Sequence, residues 1–302
     1  RFPGGLADYL AETLGDAGLT FAPDDADDLA MVLRRVLAPP PGRAMAPRKR
    51  VAIVSYRYGA DIIGGAETSL RSMAAALHDV GYQVEVFSTC TRSENAGTND
   101  IAAGTTFDAG IAVHRFAVDT HDPEAKADAF RAIIANDGQV TPEIEQSYLA
   151  HGVRSAALLD ALRRREHEFD AILVGPYLTG LTVDVVQAFG PRAVLVPCYH
   201  DEPIARLAMW PRLYRDAAGV LYHSPEEREF AQSTLGINHP NCCEVGARVA
   251  AGTPNAGQDE RYVVYCGRYS EQKNVPLLIE WMQRYHEKHP GELTLVMMGQ
   301  GS

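Results

Sequence analysis

Short apolar runs alternate with helix-length segments along most of this chain, and this alternation restricts the fold more than any other feature of the sequence. The first run, Val51–Tyr56, is followed by a Gly-containing loop, a helix-like segment over 66–80 and a second run, Gln83–Ser88. Buried parallel strands are continuous apolar runs, and parallel neighbours need a crossover connection of helix length. The pattern therefore predicts an α/β fold with a doubly wound, Rossmann-like parallel sheet.

The alternation continues through the chain and then restarts. Before residue 246, strands are predicted at Ile111–Phe116, Ala171–Gly175, Ala193–Pro197 and Gly219–Tyr222, with helices over 143–169, 178–189, 204–216 and 225–235 and an irregular stretch over 117–140. After residue 260, a second βαβ pattern comprises the strand Val263–Gly267, the helix Val275–His289 and the strand Leu293–Met298. Two successive patterns predict two Rossmann-like domains.

These patterns divide the sequence into three segments. Residues 1–45 are predicted to be an acidic helical tail and linker, since the Pro-Pro-Pro-Gly run near residue 40 cannot continue a helix. Residues 46–255 form an N-terminal domain and residues 256–302 the start of a C-terminal domain, because periodicity is lost over 246–260. The last segment is too short for such a domain, and the chain lacks an initiator Met, so we expect a fragment or a processed piece.

Composition excludes several classes of function. The sequence has 39 acidic and 28 basic residues and a formal net charge of -11, which excludes nucleic acid as a partner because that role needs a clustered positive field. No apolar run approaches the roughly 18 residues of a membrane span, and the N-terminus is not a signal peptide. The five cysteines include no C-x-x-C pair, which excludes a zinc ribbon, and their odd number together with the absence of an N-x-S/T sequon fits a reducing compartment. We expect a cytoplasmic protein.

The loop after the first strand is the first candidate site. Gly64 and Gly65 precede a helix, where free backbone amides attract an anion and the absence of side chains lets a ligand approach closely. A flexible turn explains the same glycines. Glu67 lies at the helix start, where an acid also complements the helix dipole.

Two further loops follow predicted strands. His200 and Asp201 lie in a Cys-Tyr-His-Asp-Glu segment, and they suit either proton handling and sugar binding or a solvated loop with a capping Asp. Arg268 and Lys273 flank a predicted helix start, where two cations suit a diphosphate but also fit a pair of surface bases.

Taken together, these motifs resemble those of GT-B glycosyltransferases, specifically the retaining family 4 group (GT4). The resemblance runs from about Arg50 to Ser302 and rests on an ordered set of motifs: Gly64-Gly65-Ala66-Glu67, His200-Asp201, Ser224 after a strand, and Gly267-Arg268 with Lys273-Asn274. It implies a hexosyltransferase-like enzyme with an acceptor-binding N-terminal domain and a C-terminal domain that binds a nucleotide sugar.

The resemblance also implies roles for individual residues. Gly64 and Gly65 would contact the donor phosphates or sugar, His200 and Asp201 would act at the reaction centre, and Glu67 would lie on the acceptor side. Arg268 and Lys273 would bind the diphosphate, so that neither a metal nor a cofactor is expected. The acceptor would be a sugar, a lipid or a protein, and a lipid acceptor would bring the protein to a membrane surface.

Two features depart from the family pattern. The E-x7-E glutamate pair that contacts the donor is absent, so we expect the 302-residue piece alone to be inactive, and the segment that usually reads Asn-Gly-Val-Asp before the interdomain linker is Glu244-Val245-Gly246-Ala247-Arg248. The first 45 residues resemble the end of a C-terminal domain, which implies a second glycosyltransferase module upstream or a permuted chain, while an unrelated helical extension is the alternative. A non-catalytic α/β binding or interaction module and a nucleotide-sugar epimerase of the same architecture remain as alternatives.

Overall fold

The structure, a computed structural model, describes residues 50–62, 64–93, 97–119, 121–246, 261–267, 269, 273–291 and 293–299. The chain divides into two compact units between Val249 and Ala250. The predicted tail over 1–45 lies outside the described residues.

A mostly parallel sheet forms the centre of the first unit. Its order is β3-β4-β2-β1-β5-β6-β7-β8, and every pairing is parallel except that of β3 with β4. The strands are β1 (Arg50–Ser55), β2 (Gln83–Thr89), β3 (Gly104–Asp108), β4 (Ile111–Phe116), β5 (Ala171–Gly175), β6 (Ala193–Leu195), β7 (Gly219–Tyr222) and β8 (Cys242–Glu244).

Helices cover both faces of this sheet. They are α1 (Gly65–Asp79), α2 (Pro123–Ala135), α3 (Pro142–Ala150), α4 (Ala156–Arg165), α5 (Gly180–Phe189), α6 (Trp210–Asp216) and α7 (Pro225–Ser233). Side chains of β1 alternate between the two faces, so that Val51 and Ile53 share one core with the α1 residue Leu70 while Ala52 and Val54 share the other with Leu158 of α4. This burial on both faces explains the continuous apolar runs in the sequence and confirms the predicted doubly wound α/β class.

Several details differ from the sequence prediction. The helix predicted over 204–216 is α-helical only from Trp210, after a separate 3-10 turn at Pro203–Arg206. The stretch predicted to be irregular contains α2, which begins where Asp122 accepts hydrogen bonds from two backbone amides of the first turn. The single helix predicted over 143–169 is interrupted after Ala150, and a new helix starts where the Ser155 hydroxyl accepts from the Leu158 amide. The short strands β3 and β8 were not predicted.

A carboxylate near the amino end of β2 gathers an ionic cluster. Glu85 accepts hydrogen bonds from Arg50, Arg165 and His114 at 2.8 to 3.0 Å. Burial alone would raise the pKa of Glu85, but the hydrogen bonds from Arg165, His114 and Arg50, together with the charge of Arg165, outweigh it and lower the pKa to about 2. The cluster ties β1, β2, β4 and α4 together at this end of the sheet.

The second unit is a βαβ unit. Its strands β9 (Tyr262–Cys266) and β10 (Thr294–Met298) pair in parallel, and α8 (Val275–Lys288) connects them. These bounds agree with the predicted elements to within one residue at each end.

Candidate functional site

The sheet order reverses between β1 and β5. From β1 the chain builds outward through β2 and β4, and then returns to place β5 on the other side of β1. Open α/β sheets bind ligands in the crevice at the carboxyl ends of the strands where this reversal occurs. The loops that follow β1, β5, β6 and β7 all reach this edge, and they contain most of the candidate residues.

The loop after β1 ends at the glycine pair. Gly64 is the N-cap of α1, and Gly65 is its first residue. A side chain at Gly65 would meet no atom within 4 Å, so the open space lies directly over the helix start. A Cβ at Gly64 would lie 1.9 Å from Oε2 of Glu67, so a side chain at this position would displace the buried Glu67 carboxylate.

Glu67 forms a buried ion pair with a residue of the preceding loop. Its Oε1 accepts hydrogen bonds from Nε and Nη2 of Arg57 at 2.9 and 2.5 Å, and the two side chains are 4% and 9% exposed. The Nη1 group of Arg57 also donates to the carbonyl oxygen of Arg92. The sequence prediction missed Arg57, which fixes the β1 loop against α1 and positions the glycines.

His200 and Asp201 lie on the loop after β6. The ring of His200 is exposed and has no hydrogen bond to another described residue. The exposed carboxylate of Asp201 accepts a hydrogen bond from Arg206. Cys198, two residues before His200, has the left-handed φ of 59°, which turns the chain sharply after the strand. His200 thus lies exposed on a loop at the carboxyl edge of the sheet, and its role at a ligand site stays a prediction.

A buried tyrosine forms a hydrogen bond with a residue of the same loop. The hydroxyl of Tyr177, in the loop after β5, donates a 2.6 Å hydrogen bond to Oε1 of Glu202. Burial, together with the charge of Glu202, raises the pKa of Tyr177 well above its ordinary value, so the phenol stays protonated and remains a donor.

A second polar cluster connects α1 to the loops after β6 and β7. The hydroxyl of Ser69 forms a hydrogen bond with Nε2 of His223, and Nδ1 of His223 faces Oε2 of Glu227 at 3.4 Å. Glu227 also accepts from the backbone amides of His223 and Tyr199 at 2.6 and 2.7 Å. Ser224 caps the start of α7, since its hydroxyl accepts a hydrogen bond from the Glu227 amide at 3.2 Å.

The remaining predicted residues belong to the second unit. Lys273 is exposed and lies just before Asn274, the N-cap of α8, which has a left-handed φ of 54°. Arg268 lies outside the described residues. The diphosphate role of both cations therefore stays a prediction.

Comparisons with known proteins give one informative result. No family model and no curated protein matches the sequence. Among solved structures, the chain is similar to the crystal structure of α,α-trehalose 6-phosphate synthase from Burkholderia multivorans, with a TM-score of 0.50 and 15% identity. The match covers 82% of this chain and 64% of that synthase, so the chain spans less than two thirds of its length. The mixed α/β fold with a mostly parallel sheet is thus similar to that of a GT-B glycosyltransferase.

Two properties of the described residues bear on membranes and metals. Within the described part of the chain, none of the helices combines the length and the apolar character that crossing a membrane requires. No cluster of three or more His, Cys, Asp or Glu side chains suited to a metal ion occurs in the same ranges.

Proposed function

We propose that this protein is a glycosyltransferase that moves a sugar from a nucleotide-sugar donor to a hydroxyl group of an acceptor, with retention of anomeric configuration. The observation that carries the proposal is the meeting of two loops at one edge of the sheet. The Gly64-Gly65 helix start follows β1 and the His200 loop follows β6, with only β5 between these strands. Neighbouring strands are about 4.8 Å apart, so the two loops lie within reach of one sugar-sized ligand.

The chemistry of the two loops suits complementary parts of a nucleotide sugar. Free amides at the start of α1 favour the donor phosphates or sugar hydroxyls, and the space over Gly65 leaves room for them. The exposed imidazole of His200 would contact the transferred sugar. Arg268 and Lys273 would offset the charge of the leaving diphosphate, which removes the need for a metal ion. The fold similarity to a synthase named for a disaccharide phosphate is consistent with this assignment.

The test is release of nucleoside diphosphate from a panel of UDP-, GDP- and ADP-sugars, with and without EDTA. Because the chain spans only part of the synthase it resembles, the assay uses both the 302-residue chain and the longest natural protein that contains it. His200→Ala should lower turnover more than donor affinity. Lys273→Ala should weaken diphosphate binding about tenfold to a hundredfold, since charge-assisted hydrogen bonds are worth about 1.5–3 kcal/mol.

Other outcomes would favour different functions. Conversion of a donor into its epimer without transfer would favour the nucleotide-sugar epimerase. Nucleotide-sugar binding without any turnover would favour a non-catalytic binding module. Absence of both binding and turnover in every form assayed would refute the proposal.

A further inference from the structure

One carboxylate at the carboxyl edge of the sheet has no charged partner among the described residues. Glu202, in the loop after β6, is half-buried and takes part in none of their ion pairs. Arg206, four residues further on, pairs instead with Asp201 and Asp137. Withdrawing a carboxylate from water costs hydration that a counter-ion or hydrogen-bond donors must replace. The environment of Glu202 therefore has room for the donors of a ligand.

A buried phenol fixes the direction of this carboxylate. The hydroxyl of Tyr177 donates to Oε1 of Glu202 at 2.6 Å, and Tyr177 itself is fully buried. Its ring packs against Tyr199 and Trp210, with ring centroids 4.6 and 5.2 Å apart, and its backbone amide donates to the carbonyl oxygen of Pro197. A donor held so firmly orients the carboxylate before any ligand binds, which reduces the entropy that binding must cost.

The same hydrogen bond directs the Glu202 side chain toward the neighbouring loop. Glu202 follows β6 and Tyr177 follows β5, and β5 lies between β6 and β1 in the sheet. The loop after β1 ends at Gly64 and Gly65. The carboxylate is therefore directed from the β6 loop toward the side of the glycine pair, into the gap between the two loops that carry the proposed function.

The remaining lone pairs of Glu202 match hydroxyl groups. A carboxylate only accepts hydrogen bonds, at about four lone-pair sites on its two oxygens, and the Tyr177 hydroxyl occupies one of these sites. Oε2 forms no hydrogen bond with another described residue. Two hydroxyl groups on adjacent carbons of a sugar ring can both donate to such a carboxylate, whereas a phosphate at the same place would be repelled.

We propose that Glu202 binds two adjacent hydroxyl groups of a neutral sugar ring, with Tyr177 as its positioning residue. This inference rests on the proposed glycosyltransferase function and names the chemical group that is recognised between the β1 and β6 loops, a vicinal diol. The diol belongs either to the transferred sugar of the donor or to a sugar acceptor, and the two arms of the experiment separate these sources. From either source, a sugar that lacks one of the two hydroxyls should bind more weakly.

The first arm measures donor binding by calorimetry, in the two forms of the protein used for the transfer assay. UDP-glucose and GDP-mannose are compared with UDP and GDP, which isolates the contribution of the sugar. Both vicinal pairs of a transferred hexose include its 3-hydroxyl, so the 3-deoxy donors are the diagnostic probes. If the diol belongs to the donor, Glu202→Gln should weaken binding of the parent donors by about tenfold or more, as loss of a charge-assisted hydrogen bond does. Binding of UDP and GDP should stay unchanged.

The second arm measures transfer to methyl α-glucoside and to its 3-deoxy form. If the diol belongs to the acceptor, Glu202→Gln should raise the KM for the parent glucoside by about tenfold or more and leave donor binding unchanged. In whichever arm responds, the variant should no longer prefer the parent sugar to its 3-deoxy form. Unchanged donor binding, together with an unchanged acceptor KM or with no transfer to the glucoside, would overturn the inference.

Matched variants separate sugar recognition from a structural role. Glu166→Gln makes the same change at an exposed acid before β5, at the opposite edge of the sheet, and should alter neither arm. Tyr177→Phe should weaken sugar binding less than Glu202→Gln and should add little to it in the double variant, because the two residues act on one contact.

The amide oxygen of Gln can still accept from Tyr177, so we expect Glu202→Gln to fold. A purely structural role predicts a lower melting temperature in Glu202→Gln with an unaltered preference for the parent sugar over its 3-deoxy form, and this result would overturn the inference while the transferase function stands. Absence of donor binding and turnover in the unmodified protein would overturn the function itself.

Discussion

Replacing Glu67 with Gln is expected to lower the free energy of unfolding of the first unit by about 3 kcal/mol, at the lower end of the range for breaking a buried ion pair. The magnitude follows from burial, since the Arg57 and Glu67 side chains are only 9% and 4% exposed. An exposed pair would contribute at most about 1 kcal/mol. The amide oxygen of Gln can still accept from Arg57, but the guanidinium charge would remain buried without a counter-ion.

A double-mutant cycle tests the cause of this loss. Arg57→Met removes the charge together with the hydrogen bond to the Arg92 carbonyl and the contact with the Tyr56 ring, 4.9 Å from the guanidinium carbon. It should therefore cost at least as much as Glu67→Gln. Arg57→Met combined with Glu67→Leu should cost clearly less than the sum of Arg57→Met and Glu67→Leu made separately, because apolar residues can replace a buried pair at little cost.

The assay is urea unfolding followed by tryptophan fluorescence. Trp210 is fully buried in the first unit, whereas Trp281 in the second unit is 59% exposed, so a Trp281→Phe background makes the signal specific to the first unit. Glu124→Gln, which removes an exposed acid from the first turn of α2, is the matched control. If Glu67→Gln were no more destabilising than this control, the ion pair could not be what holds the β1 loop on α1.

Three further predictions concern other parts of the described chain. Stability should decline as the pH falls from about 4.5 toward 2, because Glu85 has an ordinary pKa when unfolded and one of about 2 when folded; acid titration of Glu85→Gln should show a shallower decline. Gly64→Ala should lower the midpoint of urea unfolding, since its Cβ would displace the Glu67 carboxylate; an unchanged midpoint would argue against the close approach. Iodoacetamide at pH 8 should label the exposed Cys266 well before Cys198, whose thiol pKa is raised by burial. Mass spectrometry of the labelled peptides measures the order, and earlier labelling of Cys198 would contradict the prediction.

The sequence predicted the parallel sheet well because buried strands need apolar residues on both faces. Gly219–Tyr222 and Ala171–Gly175 have the predicted bounds for this reason. The edge strand β3 could not be found in this way, since four of its five residues are exposed and Thr105 and Thr106 break any apolar pattern. The signal for α2 was present in Asp122-Pro123-Glu124, where an N-cap, a first-turn Pro and an acid mark a helix start.

The candidate site was only partly visible because its contacts join distant parts of the chain. Glycines and a His after strands are local patterns, and these identified Gly64, Gly65 and His200. Ser69 and His223 are 154 residues apart, and they meet only because α1 and β7 reach the same edge of one sheet. The positions of a Ser inside a helix and a His after a strand do not predict from the sequence that the two side chains are in contact.

Glu227 occupies a capping-box position but forms different hydrogen bonds from those that the local sequence pattern predicts. Ser224-Pro225-Glu226-Glu227 matches the S-x-x-E pattern in which the glutamate accepts the backbone N–H of the capping serine. Here the Ser224 hydroxyl still accepts a hydrogen bond from the Glu227 amide. The Glu227 carboxylate, however, accepts hydrogen bonds from the backbone amides of His223 and Tyr199. The same carboxylate therefore fixes the β7–α7 turn, holds the loop that carries His200 and faces Nδ1 of His223. One carboxylate thus links the loops after β6 and β7 through a pattern that, read locally, indicates only a capped helix start.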